Sequence, residues 1–171
     1  MRVELASLTE STGRFAHTYE PGELLLNDEQ VVLAGPPTIS GQISRSGGRI
    51  IVEGEVAGLV QVECDRCLVP LPLSVETPFR LEYVTKEEYQ TLPAAGLEEK
   101  DLALSVFDGE VLDLDEIARE QLLLAVPFQS LCKDACKGLC FVCGADKNMI
   151  SCDCKAPESN SRWTGLQDLR F

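Results

Sequence analysis

The sequence predicts an α+β protein: an antiparallel β-rich body carrying one main helix, followed by a small cysteine-rich C-terminal lobe. Three observations predict it. Apolar residues alternate with polar ones at a period of two over 49–64 and 71–83, a single helical period runs over 114–126, and six of the eight cysteines lie at or beyond position 132. The body is expected to span 1–126, and the lobe and tail 127–171, packed on the body.

In the first strand, Ile50, Val52, Val56, Val60 and Val62 alternate with Glu53, Glu55, Gln61 and Glu63. A straight strand of that length spans about 50 Å, which is long for so small a domain, so Gly54 and Gly58 are expected to mark bends or bulges. A weaker strand over 38–45 precedes it, with Ser46-Gly47-Gly48 as the hairpin turn. After it, Leu71, Leu73, Val75, Thr77, Phe79, Leu81 and Tyr83 alternate without a break. Pro72 and Pro78 cannot donate ladder hydrogen bonds, so they are expected to face an edge or a bulge.

The acidic stretch 86–101 has no apolar period and reads as a loop, and Asp108-Gly109 offers a turn between two short apolar pieces. Leu114, Ile117, Ala118, Gln121, Leu122 and Ala125 then fall at i, i+3, i+4 and i+7 spacings. Asp113 fits the N-cap, Glu116 stands three residues on, and Pro127 ends the helix.

Hydrophobic residues make up 44% of the chain and charged residues 25%, as in ordinary globular proteins. No apolar run approaches the length needed to cross a bilayer. The first ten residues carry Arg2, Glu4 and Glu10 and no apolar h-region, so no secretory signal is expected and the chain is placed in the cytosol. The net charge of −13 opposes non-specific nucleic-acid binding, which depends on neutralising phosphates. Lys133, Lys137, Lys147, Lys155, Arg162 and Arg170 are the concentrated basic supply for any local RNA contact. The acidic majority suits docking on a basic protein.

A catalytic constellation is not legible. Asp113, Glu116 and Glu120 share a helical face, which capping and solvation explain. His17 reads as a surface or loop histidine without a partner nearby in sequence.

The eight cysteines form four short pairs: Cys64/Cys67, Cys132/Cys136, Cys140/Cys143 and Cys152/Cys154. A reducing cytosol disfavours a disulfide framework, so the leading expectation is two zinc ions, each held by four thiolates, with iron ranked below zinc. Each such site would carry a charge of about −2 and could not act as a basic patch. Gly144, just past Cys143, can take a positive φ and let the loop fold around a metal. Three pairings of the four units are open. The short separation of Cys140/Cys143 from Cys152/Cys154 favours joining those two, which leaves Cys64/Cys67 with Cys132/Cys136. Cys152 and Cys154 would point to opposite sides of an extended strand, so a turn is expected there. Redox sensing, in which oxidised thiols release zinc, is the second functional reading.

The strand-knuckle-strand run 41–79 with Cys64-Asp65-Arg66-Cys67-Leu68 resembles the bacterial YceD-like family. So does 113–154, where a Leu-rich helix runs into Pro127, Cys132, Cys136, Lys137-Gly138-Leu139-Cys140 and Cys143-Gly144. The tail from Arg162-Trp163 to Asp168-Leu169 is similar to that family's ending. Phe141 stands where the family often has Pro, and Asp146-Lys147 where Asn-Leu is common. The resemblance implies a non-enzymatic role in accumulation or processing of large-subunit (23S) rRNA, with a ribosomal protein or pre-ribosomal particle as partner. Trp163, Leu166 and Phe171 are read as packing back on the protein's own surface rather than anchoring a partner.

Overall fold

The computed structural model describes residues 1–4, 12–46, 49–91, 104–107 and 111–155. The chain divides into two compact units, one of Met1–Glu63 with Pro70–Ser130 and the other of Cys64–Val69 with Leu131–Phe171.

The first unit is built on a sheet of six strands among the described residues, in the order β2 (Thr12–Thr18), β4 (Thr38–Ser46), β5 (Arg49–Glu63), β6 (Pro70–Thr85), β7 (Leu104–Phe107), with the short β3 (Val32–Leu33) also pairing β5. Every pairing in it is antiparallel except β6 with β7, which run parallel over Glu82–Thr85 and Leu104–Phe107. Parallel neighbours need a crossover, and the helix α1 (Lys86–Thr91) follows β6 directly. The first six residues of the expected acidic loop are therefore helical, and the remainder of that stretch lies outside the described residues. So do the tips of the expected turns at Gly47-Gly48 and Asp108-Gly109, although Ser46 pairs with Arg49 as a hairpin requires.

The expected bulges at Gly54 and Gly58 do not form. β5 pairs β6 in unbroken register from Arg49↔Val84 to Glu63↔Pro70. The two glycines instead admit close neighbours. A Cβ at Gly54 would stand 2.3 Å from the Ser40 carbonyl oxygen and 2.9 Å from the Phe79 ring, and one at Gly58 would stand 3.1 Å from Leu122. Pro72 and Pro78 pair with Gln61 and Glu55 on the stretch of β6 beyond the reach of β7, where the outer edge has no described neighbour and needs no donor.

The second helix, α2 (Leu114–Ala125), packs against β5 and β6 and buries Leu114, Ile117, Ala118, Gln121 and Leu122, the positions the helical period selects. Asp113 caps it, its Oδ1 accepting the Asp115 N–H at 3.0 Å. Asp113 also belongs to the strand β8 (Val111–Asp113), which pairs β1 (Arg2–Glu4). The core joins Ile39, Ile43, Val52, Val56 and Val60 from the sheet to this helix face, with Tyr19 and Leu24 from the loop after β2. His17 has a partner after all. It lies in β2, its Nε2 is 2.9 Å from Glu23 Oε1, and its ring meets Tyr19 edge-on.

Candidate metal centres

The second unit holds all eight cysteines. Cys64, the first residue after β5, opens a tight turn in which the Leu68 N–H donates to the Cys64 carbonyl and the Cys64 N–H donates to the Val69 carbonyl, at 2.8 and 2.9 Å. Cys140 opens the same turn. The Gly144 N–H donates to the Cys140 carbonyl at 2.7 Å, and the Cys140 N–H to the Ala145 carbonyl at 2.8 Å. Gly144 takes φ 72°, as its sequence position suggests, and Leu68 occupies the equivalent place at φ 59°. The two knuckles share one backbone design, in which the amides of the turn aim at the first sulfur.

Thiol ionisation follows from that design. Burial pushes the Cys64 thiol up, yet the N–H groups of Cys132, Arg66 and Cys67 outweigh it and hold the group at about 6. At Cys140 the N–H groups of Cys143 and Val142 lower the thiol to about 6 against burial. The opposite happens where a thiol faces its neighbours' sulfurs. Cys136, with burial, pushes Cys132 up to about 12, and Cys143, with burial, does the same to Cys154. Thiolates so close together repel, and a divalent cation among them removes that repulsion.

The structure brings the cysteines into two groups of four, Cys64, Cys67, Cys132 and Cys136, and Cys140, Cys143, Cys152 and Cys154. Within each group every sulfur lies within 4.8 Å of the others. This is the grouping that loop closure favours. Cys64 and Cys136 sulfurs are 3.9 Å apart, and Cys67 and Cys132 sulfurs 3.6 Å. A tetrahedron of thiolates about 2.3 Å from a central zinc has edges of about 3.8 Å, close to these two spacings, so the first group is capable of holding such an ion. Ser151–Lys155 carries no strand hydrogen bonding, and Cys152 and Cys154 converge on one point rather than diverging.

Two further residues complete the first group. Arg66 donates from Nη1 to the Cys136 carbonyl at 2.9 Å, and its own carbonyl accepts the Leu139 N–H at 2.9 Å. Asn148 donates from Nδ2 to the Cys136 sulfur at 3.3 Å, while its Oδ1 accepts the Lys137 N–H. Asp146 orients Asn148 by accepting from its N–H and its Nδ2. Asn148 lies between the two halves of the second group, so one loop serves both. Nothing in the sequence singled it out, because a lone amide has no spacing to betray it.

The helix acids go the way capping predicts. Asp113 caps α2 and bonds Arg2, and among the described residues the cysteine quartets are the groups of three or more His, Cys, Asp or Glu that could hold a metal. Lys147 sits 5.0 Å over the Phe141 ring. Arg162, Trp163, Leu166, Arg170 and Phe171 lie outside the described residues.

Residues 52–170 match the family model described as "Large ribosomal RNA subunit accumulation protein YceD". A maize protein described as "Large ribosomal RNA subunit accumulation protein YCED homolog 1, chloroplastic" is 28% identical over 70% of this chain, and an Arabidopsis thaliana protein of the same description is 24% identical over 79%. The match takes in only 49% of each of these chloroplast proteins. The Bacillus subtilis protein YlbN is 23% identical, over 97% of this chain and 92% of its own length. No solved structure matches significantly.

Proposed function

This chain belongs to the YceD family, the large ribosomal RNA subunit accumulation proteins, and we propose that it is a non-enzymatic, zinc-binding ribosome-biogenesis factor that supports accumulation or processing of 23S rRNA in the cytoplasm. The observation that carries the reading is that the matched region takes in most of β5, all of α2 and both cysteine quartets in one continuous stretch. The all-sulfur donor set and the tetrahedral spacing support zinc, held by Cys64, Cys67, Cys132 and Cys136 and by Cys140, Cys143, Cys152 and Cys154. The ions organise the second unit and supply no reaction chemistry. The partner is a ribosomal protein or pre-ribosomal particle, which the net charge of −13 favours as a basic surface. Any rRNA contact is local, through Lys133, Lys137, Lys147 and Lys155.

Depleting the protein and measuring mature large-subunit rRNA against small-subunit rRNA tests the reading. The ratio falls if it is right. An unchanged ratio in cells lacking the protein removes the ribosomal role.

The exposure of Cys143 and Cys154 favours one second reading, a redox-responsive zinc chaperone or sensor. Dilute peroxide separates the two. A gain of activity as zinc leaves supports the switch, and loss of structure without such a gain supports structural zinc.

A further inference from the structure

The loop between β2 and β4 encloses a cavity of about 600 Å³ in the first unit, away from either cysteine quartet in sequence and within a different unit. Leu24, Leu26 and Pro37 form its buried floor. Its mouth carries two apolar side chains that face solvent, Leu25 at 62% and Val32 at 55% exposure. Exposed acids, Glu20 and Asp28, stand beside them.

The loop is held open by its own geometry. Gly22 and Asn27 take positive φ, the Asp28 carboxylate accepts the N–H groups of Gln30 and Val31 at 2.7 and 2.9 Å, and Ala34 is tied to the Leu59 carbonyl at 2.8 Å. Arg119 of α2 donates from Nε to the Leu25 carbonyl at 2.7 Å. A preformed apolar concavity of this volume matches a binding site more closely than a packing defect.

Charge decides what kind of occupant fits. Between Arg14 and Arg45 the chain has Glu20, Glu23, Asp28 and Glu29 and no lysine or arginine. The charged side chains that line this mouth, Glu20 and Asp28, are both acidic, so RNA or another anion would meet like charge there; Arg119, which spends its Nε–H on the Leu25 carbonyl, is not among them.

We propose that this cavity binds a short cationic protein segment, its aliphatic or aromatic anchor against Leu25 and Val32 above the Leu24-Leu26-Pro37 floor and its flanking lysines or arginines against Glu20 and Asp28. The inference rests on the reading of a basic protein partner and locates where that partner docks. The anchor supplies the affinity, and the flanking charges supply rate and selectivity.

The test uses the purified, zinc-loaded full chain and a fluorescein-labelled peptide of alternating lysine and leucine. Companion peptides replace leucine by serine or lysine by glutamate. The parent peptide binds, both companions bind at least about tenfold more weakly, and added salt weakens the parent. Val32→Arg and Leu25→Arg, at exposed positions that leave the thermal transition in place, each lower affinity by about tenfold or more. Leu124→Arg adds the same charge at a 70% exposed leucine on α2 outside the cavity and leaves binding unchanged. Equal weakening by all three variants, or no effect of the two cavity variants, overturns the proposal. The rRNA ratio on depletion is read separately. A fall in that ratio with no peptide binding sinks the cavity and spares the ribosomal role, whereas peptide binding with an unchanged ratio does the reverse.

Discussion

Leu68 is a leucine where its knuckle asks for a glycine. At φ 59° its Cβ crowds its own backbone, a conformation that costs a non-glycine residue about 1–2 kcal/mol. The side chain is exposed and returns little of that by burial. Leu68→Gly is therefore expected to stabilise the second unit, by up to about 1 kcal/mol once the greater freedom of glycine in the unfolded chain is deducted. Gly144→Ala is the mirror experiment. No atom stands within 4 Å of an added Cβ there, so its expected loss of about 1–2 kcal/mol is purely conformational. Gly138→Ala should lose more, because at φ 69° its Cβ would also meet the Arg66 carbonyl at 2.9 Å. Resistance of the zinc-loaded protein to chelator, compared across the three variants, gives the order. A Leu68→Gly protein weaker than the parent would show that the leucine side chain itself matters. The two cysteine quartets were legible because four close pairs announce themselves. The turn of the Cys64 knuckle was not, because a positive φ is read from glycine and a leucine conceals it.

At the scale of the element, period-two alternation identified β5 and β6 to within a residue at most ends, and the helical period located the buried face of α2. It misread the glycines. Propensity says that alanine in a strand should be more stable than glycine by roughly 0.5–1 kcal/mol. Gly54→Ala should do the opposite, since its Cβ would collide with the Ser40 carbonyl, which is backbone and cannot swing aside. A loss of about 1–3 kcal/mol is expected from the forced shift of β4 against β5. Urea unfolding of the whole chain measures it, and a midpoint at or above the parent's would mean that the strands separate freely at this point. The elements that sequence missed are the short or non-local ones. Three-residue β1 pairs with β8 across more than a hundred positions, as Arg2↔Asp113 shows, and six-residue α1 has no apolar period to read. Neither leaves a local pattern, β1 because its support comes from residues far along the chain and α1 because it is too short to show a period.

The two units are stabilised by different physics, and this governs how the molecule comes apart. The first has an apolar core, in which Ile39, Ile43, Val52, Val56, Val60, Leu114 and Leu122 are almost wholly removed from water. Among the described residues of the second, the buried side chains are Cys64, Cys67, Cys136 and Cys140, while Leu68, Phe141, Val142, Met149 and Ile150 face solvent. Among these residues sulfur stands where a core would stand, so their burial contributes little, and metal binding of about 10–16 kcal/mol per structural zinc would dominate their folding. Removing metal with a chelator under reducing conditions should then strip hydrogen-exchange protection from Cys64–Val69 and from 131–155, while the amides of β4 and β5 keep theirs. Replacing Cys143 by serine should release one metal and loosen the knuckle opened by Cys140 before that opened by Cys64, because the first quartet keeps all four sulfurs and its Asn148 hydrogen bond. If protection in β4 and β5 fell together with that of the cysteine unit, the two would be a single cooperative structure. The metals would then support the whole chain rather than its second unit.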